Sequence, residues 1–436
     1  MSKPRVVLLI PTLDRSGAEK QFALLATRLP RDEFDVRAIA LTRGGPYADE
    51  LQAAGIPLTV IGKRAKFDPF SFWRLRAELV RQDPDILHTW LFSANAYGRL
   101  CTHAIPRAKI VVSERCVDSW KANWQLWLDR RLIARTDRLV GNSASVVEFY
   151  RELGVPPEKL ACVPNGIECE PTGCEGESLI PVPSPRPCGE RVRVRGLSSS
   201  VDSPNTAAAV DKSQSEEPLT LTLSPQGRGE GTKPSRQGRL LGRKHLLTEL
   251  NLTPDSFVVG FIGRLAKQKR VEDLVWAIEI LRQIRPQLQL VVIGDGPERE
   301  RLERFTRDIH CDRHVTFLGH REDAARFLPA FDIFGLASSF EGMSNSVMEA
   351  MSAGLPIIAS DIPPNRELVV QGETGFLFKL ADTVGIMQFV RRLIDEPGLA
   401  TRLGQAGRER IQREFNIPRM VEGYANIYRE LLATFS

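Results

Sequence analysis

Short apolar runs alternate with amphipathic stretches along most of the chain, and their spacing predicts strand then helix, repeatedly. Residues 6–10 are apolar without a break, as in a central parallel strand covered on both faces. Beyond the loop at 11–17 the period lengthens. Phe22, Leu24, Leu25 and Leu29 predict a helix that begins near Ala18. Strands follow at 36–41, 57–61, 86–90, 110–112 and 138–141, with helices at 48–54, 69–81 and 94–100. A last strand at 159–167 ends in the Asn165-Gly166 turn. From Cys169 to about Gly238 the periodicity is lost, and Pro, Gly, Ser, Arg and Glu dominate. A stretch of that length inside a compact domain is read as a disordered insert between domains. Its segments 189–196 and 219–231 look like translated intergenic repeat DNA and are assigned no chemistry; a basic binding arm is the sharper alternative.

Order returns with a helix at 243–250. Strands at 257–262, 288–294, 315–319, 333–337, 356–360 and 375–378 alternate with helices at 271–284, 298–307 and 324–330. A final amphipathic stretch, 418–435, carries Met420, Tyr424, Ile427, Tyr428 and Leu431, a spacing that suits a helix lying across another domain. The fold class is therefore α/β, with two doubly wound parallel sheets. The expected divisions are 1–168, the insert 169–239, a second domain 240–415 and a crossover helix 416–436.

Composition narrows the class. The 436 residues are 42% hydrophobic and 26% charged, values of a globular chain long enough for two domains. A net charge of +5 suits anionic small molecules or anionic lipid and is too weak to indicate nucleic acid. Seven scattered cysteines without a C-x-x-C pair read as reduced thiols in a cytoplasmic protein. The run at 6–10 is too short for a signal segment, and no run approaches the roughly 18 apolar residues of a membrane span.

Ligands of doubly wound sheets sit outside the carboxyl ends of the strands, so candidate chemistry is sought there. After the strand at 333–337 come Glu341, Gly342, Met343 and a helix start at Ser344-Asn345, with Glu349 one turn inside the helix. The helix N-terminus predicts an anion site. Gly263, Arg264 and Lys269 follow the strand at 257–262, and the two cations suit a diphosphate. Gly17 allows close backbone approach after the first strand. His88 is expected to point from its strand into the cleft. Glu114 and Asn142, at the ends of the next two strands, are candidates on the opposite wall. Weaker signals are set aside. Asp83-Pro84-Asp85 has metal-diphosphate spacing at the wrong end of a strand. His310, Cys311, His314 and His320 lack a second ligand pair, and Gly294-Asp295-Gly296-Pro297 lacks the third glycine of a dinucleotide fingerprint. The basic and aromatic segment 63–74 reads as a solvated helix start or as a contact with an anionic membrane.

Taken together, Glu341-x7-Glu349, Gly263-Arg264-Leu265-x3-Lys269, Gly294-Asp295-Gly296, residues 163–167 and Gly17-Ala18-Glu19 resemble, in content and order, the retaining glycosyltransferases of family four. The resemblance covers about 1–168 and 240–436. It implies a GT-B fold, with two Rossmann-like domains facing a cleft, and transfer of a sugar from a nucleotide sugar, UDP-linked by expectation, to a glycan or lipid-linked acceptor. By carry-over, Arg264 and Lys269 hold the diphosphate near Gly17 and Gly263, and Glu349 takes the ribose hydroxyls. Glu341 and the amides of Gly342, Met343, Ser344 and Asn345 hold the transferred sugar and phosphate. His88 lies near the reacting centre. No metal or other cofactor is required. Two departures stand out: Ser113-Glu114-Arg115-Cys116 occupies a place where the family often has a histidine, and the insert falls at the interdomain linker. Two other classes fit the same residues, a nucleotide-sugar epimerase and a non-catalytic nucleotide-sugar binder disabled by the insert.

Overall fold

A computed structural model describes residues 3–65, 68–117, 121–169 and 236–434. The strands of the first half are β1 (Arg5–Thr12), β2 (Asp35–Arg43), β3 (Leu58–Val60), β4 (Ile86–Trp90), β5 (Lys109–Glu114), β6 (Arg138–Gly141) and β7 (Leu160–Cys162). They form one parallel sheet in the order β3-β2-β1-β4-β5-β6-β7. The second half supplies β8 (Phe257–Ile262), β9 (Leu288–Ile293), β10 (Val315–Gly319), β11 (Ile333–Leu336), β12 (Ile357–Ser360) and β13 (Gly375–Phe378). Their sheet, also parallel, runs β10-β9-β8-β11-β12-β13. Each order reverses once, between β1 and β4 and between β8 and β11. At such a switch point two neighbouring loops diverge and leave a crevice at the carboxyl edge.

The unbroken apolar character of β1 follows from burial on both faces. Val6, Leu8 and Ile10 pack with Phe22, Tyr424 and Tyr428 on one side, and Val7 and Leu9 with Leu75, Leu79 and Tyr150 on the other. The last helix, Ile417–Ala433, is capped by Asn416, whose side chain accepts from the Arg419 amide at 2.9 Å. Met420, Tyr424 and Tyr428 on that helix enter the core of the first sheet, so the carboxyl-terminal stretch is packed against the amino-terminal strands. A backbone bridge between Ile167 and Asn416 lies at its start.

Several local expectations are adjusted. The helix expected at 48–54 is Pro46–Ala53, because Pro46 takes a position where its missing N–H costs nothing. Residues 324–330 form a 3₁₀ helix containing Pro329, which cannot donate to an α-helical ladder. Helix Asn123–Leu132 has no counterpart in the apolar pattern, because Trp124 and Trp127 face outward. The insert lies almost wholly outside the described residues. Near its end only residues 236–239 are described, in the first turns of helix Arg236–Glu249.

Candidate active site

A cleft of about 700 Å³ opens at the carboxyl edges of both sheets. Gly17, after β1, and Asn142, after β6, line one wall. Gly263, Arg264 and Lys269, after β8, and Glu341 to Asn345 with Glu349, after β11, line the other. All the residues expected to hold the donor are thus brought into one cavity.

Local chemistry explains the second wall. Ser344, held in an extended conformation, caps helix Asn345–Ser352, its hydroxyl accepting from the Val347 amide at 3.4 Å. The Ser339 amide donates to the Gln268 carbonyl at 2.7 Å, which ties the loop after β11 to the loop after β8. That tie brings Lys269 to Glu341, and the two form an ion pair. Lys20, on helix Gly17–Arg28, crosses from the other wall to Glu349 at 2.5 Å. Arg264 is exposed, and its guanidinium has no hydrogen-bond or ion-pair partner among the described residues. Glu341 and Glu349 are therefore each paired with a lysine, and among the described residues of the cleft Arg264 is the cation without a partner. An incoming anion meets Arg264 first and competes with two carboxylates for two ammonium groups.

Gly294 has φ +145°. A Cβ there would collide with the Gly263 carbonyl, so Gly294-Asp295-Gly296 lets two loops touch and is no dinucleotide fingerprint.

The walls are fastened by residues whose role the sequence pattern did not signal. Asn165, in the turn of the 163–167 stretch, donates to the Asn345 side-chain oxygen at 2.7 Å and to the Met343 carbonyl at 3.1 Å. Arg115 donates to the Asn165 side chain and, at 3.0 Å, to the Tyr424 hydroxyl, while stacking 4.5 Å over Trp90. Asn345 also donates to the Gly17 carbonyl at 3.0 Å. On the far side, Glu367 accepts from the Ala144 and Ser145 amides at 2.7 and 2.9 Å, capping the helix Ala144–Glu152 from the other wall. Asn142 donates to the Arg115 carbonyl at 3.3 Å, and its buried side-chain oxygen has no partner among the described residues.

Two expectations are corrected. His88 does not reach the cleft. It is 0% exposed, with Nδ1 2.7 Å from the Tyr428 hydroxyl and Nε2 2.8 Å from Ser113 Oγ. Alternation on β4 turns it with Ile86 and Trp90 toward the face that helix Ile417–Ala433 covers. Glu114 is also buried. It accepts from Asn95 at 2.9 Å and Lys121 at 3.4 Å, in a cluster where Arg99 and Lys121 share Asp129 at 2.5 and 2.9 Å. That carboxylate serves an internal charge network and not the cleft wall. Asp85 accepts from the Arg5 amide at 2.7 Å, and no group of three His, Cys, Asp or Glu among the described residues is placed to hold a metal.

Burial, and then the nearby charge of Arg115, holds the His88 pKa well below 6.5. The unfolded chain binds this proton near pH 6.5 and the folded one does not. Stability linked to His88 is thus present above pH 6.5 and lost as pH falls below it, by up to about 1.4 kcal/mol per unit. Urea unfolding at pH 7.5 and 5.5 is expected to show that slope, and a His88→Phe variant to lack it. An equal slope in the variant would refute the assignment.

Comparison with known proteins decides the family. The description "Glycosyltransferase Family 4" matches residues 15–171 and "Glycosyl transferases group 1" matches residues 243–410. The chain belongs to the family-four glycosyltransferases. The fold agrees: a crystal structure of Anabaena HepE in complex with UDP superposes with a TM-score of 0.73 at 16% identity, over 98% of this chain and 100% of that one. This family-four chain therefore has the GT-B fold. It is 25% identical over 442 residues to the Escherichia coli UDP-Gal:alpha-D-GlcNAc-diphosphoundecaprenol alpha-1,3-galactosyltransferase, covering 98% of this chain and 96% of the relative. It is 32% identical over 180 residues to the lipopolysaccharide core biosynthesis glycosyltransferase LpsD of Rhizobium meliloti, covering 41% of this chain and 51% of the relative. The match spans about half the length of several such relatives.

Proposed function

We propose that this family-four glycosyltransferase moves a sugar from a nucleotide sugar, UDP-linked, to a glycan or lipid-linked acceptor with retention of anomeric configuration. The observation that carries the reading is the set of Arg264, Lys269, Glu341 and Glu349 around one cleft at the β8/β11 switch point. Arg264 and Lys269 meet the charge of the donor diphosphate, so the site asks for no metal or other cofactor. Glu349, released from Lys20, takes the ribose hydroxyls, and Glu341 holds the transferred sugar. The N-terminus of helix Asn345–Ser352 adds positive potential at the phosphate. In the transfer step the bond from the anomeric carbon to the β-phosphate oxygen breaks, and the acceptor hydroxyl forms its bond on the same face. Its proton goes to the departing phosphate. Glu341 is then an electrostatic partner of an oxocarbenium-like centre and not a nucleophile. Asn142, which lines the cleft after β6, is the acceptor-side residue. The names of the HepE complex, which holds UDP, and of the E. coli relative, with its diphosphoundecaprenol acceptor, support donor and acceptor classes. A cytoplasmic protein lying at the inner face of an envelope membrane fits such an acceptor; no helix among the described residues is long and apolar enough to cross a membrane.

The test is a transfer assay on the full chain with a panel of UDP-sugars and polyprenyl-diphosphate sugars, with the product's anomeric configuration read by NMR. A product that keeps the donor's configuration is expected, and an inverted product overturns retention. An epimerised nucleotide sugar formed without acceptor assigns an epimerase instead. Binding without turnover, with turnover restored by removing residues 170–238, assigns a copy disabled by its insert.

A further inference from the structure

We propose that helices Pro69–Gln82 and Asn123–Leu132 form a docking face for an anionic lipid bilayer. Helix Pro69–Gln82 buries Leu75 and Leu79 against the first sheet, as an amphipathic helix should. Its outer side departs from the usual polar face. Phe70 is 79% exposed and Trp73 60%, three residues apart, and Val80 continues the stripe two turns on. Helix Asn123–Leu132 repeats the arrangement: Trp124 is 45% and Trp127 57% exposed, again three residues apart. In both helices an arginine one turn on lies over the outer indole. Arg76 sits 5.6 Å from the Trp73 ring and Arg131 5.4 Å from the Trp127 ring.

The two helices are held on one face of the sheet by the helix between them. Phe72 meets Tyr97 at 6.5 Å, while Phe92 meets Trp124 at 5.7 Å, and both partners belong to helix Leu91–Leu100. Right-handed crossovers place the first turns of such helices at the carboxyl edge of the sheet, which is the cleft side. The face therefore presents its indoles beside the opening where a lipid-held acceptor would enter.

Charge selects the occupant. On helix Pro69–Gln82 the one carboxylate, Glu78, is committed to Arg81 at 2.6 Å, and the capping Asp68 lies near Arg74, which leaves Arg76. On helix Asn123–Leu132 the one carboxylate, Asp129, is buried with Arg99 and Lys121, which leaves Arg130 and Arg131. Exposed indoles with an uncompensated arginine layer suit the headgroup zone of an anionic membrane, where the ring enters the acyl boundary and the guanidinium meets phosphate. A second exposed apolar stripe makes the contrast. Trp276, Ile280 and Ile284 lie on the other domain, but Glu272 and Glu279 flank them, so that stripe has no cationic excess.

The purpose of the face, bringing the cleft to a lipid-held acceptor, rests on the proposed reading, but its test reads no sugar transfer. A failure here leaves donor binding and transfer untouched. Full-length protein is sedimented with vesicles of phosphatidylglycerol and phosphatidylethanolamine, and separately with phosphatidylcholine vesicles. Binding to the anionic vesicles only is expected, weakened at least tenfold by about 0.5 M NaCl. The double variant Trp73→Ser with Trp127→Ser is expected to lose about tenfold or more in partitioning. Arg76→Ser with Arg131→Ser should lose about fivefold per arginine. Trp276→Ser is expected to bind as the parent does. Circular dichroism checks that each variant is folded. Equal binding to neutral vesicles, no binding to anionic ones, or full binding by the folded tryptophan double variant overturns the proposal.

Discussion

Replacing Arg264 and Lys269 together by alanine is expected to weaken binding of a UDP-sugar by about 10²- to 10⁴-fold, measured by calorimetry. Each cation would make charge-assisted hydrogen bonds to the diphosphate, worth about 1.5–3 kcal/mol apiece, so the pair accounts for that range. The single variants should not be equal. Arg264 is exposed, and its loss removes an attraction only. Lys269 is paired with Glu341, and both side chains are largely buried. Without Lys269, the Glu341 carboxylate is left uncompensated beside the incoming phosphates and repels them. Lys269→Ala should therefore cost more than Arg264→Ala, and Glu341→Gln in the Lys269→Ala background should recover part of the donor affinity while leaving transfer impaired. A double variant that binds the donor as tightly as the parent would remove the diphosphate site from this cleft.

Gly342→Ala is expected to separate binding from transfer. An added Cβ at Gly342 would lie 1.9 Å from the Arg115 carbonyl oxygen and 3.0 Å from the Asn142 side chain. Non-bonded heavy atoms settle at roughly 3.5 Å or more, and the nearer obstacle is backbone, so the walls must part by more than about 1 Å. The Cys116–Gly342 bridge and the 3.4 Å bond from the Val117 amide to the Glu341 carbonyl would go with that movement. Misplacement of about 1 Å at a reacting centre costs about 10²-fold in rate. The turnover number should fall by about that factor. The donor dissociation constant should change by less than about threefold, because Arg264, Lys269 and Glu349 all belong to one wall. Unchanged turnover would show that apposition of Gly342 and Arg115 is not needed for the reaction.

These expectations draw on information of two kinds. Alternation of period along the chain was enough for the two parallel sheets, since βαβ units can close only in a few ways. It also placed Gly263, Arg264, Lys269, Glu341 and Glu349 at strand ends, and strand ends in a doubly wound sheet converge. The Ser344 cap is local chemistry as well, a hydroxyl bonded three residues along.

Where the reading from sequence went astray, a remote element intervened. His88 sits on a strand beside the cleft, and the pattern of β4 shows that it alternates with Leu87. Nothing near it in the chain says that Tyr428, 340 residues away, lies over that face. Glu114 closes β5, but Lys121 and the helix after it fold back to bury it. Lys20 and Asn165 went unassigned for the converse reason. Each acts through a partner more than 170 residues distant, Glu349 in one case and Met343 and Asn345 in the other. Hydrophobic periodicity records which side of an element a residue occupies, because burial of apolar area repeats with the backbone. It carries no record of what is laid against that side. The strands, their ends and the charges on them therefore follow from the chain itself. Which charges face the cleft, which are neutralised, and which are sealed beneath the last helix follow from packing between segments that share no local period.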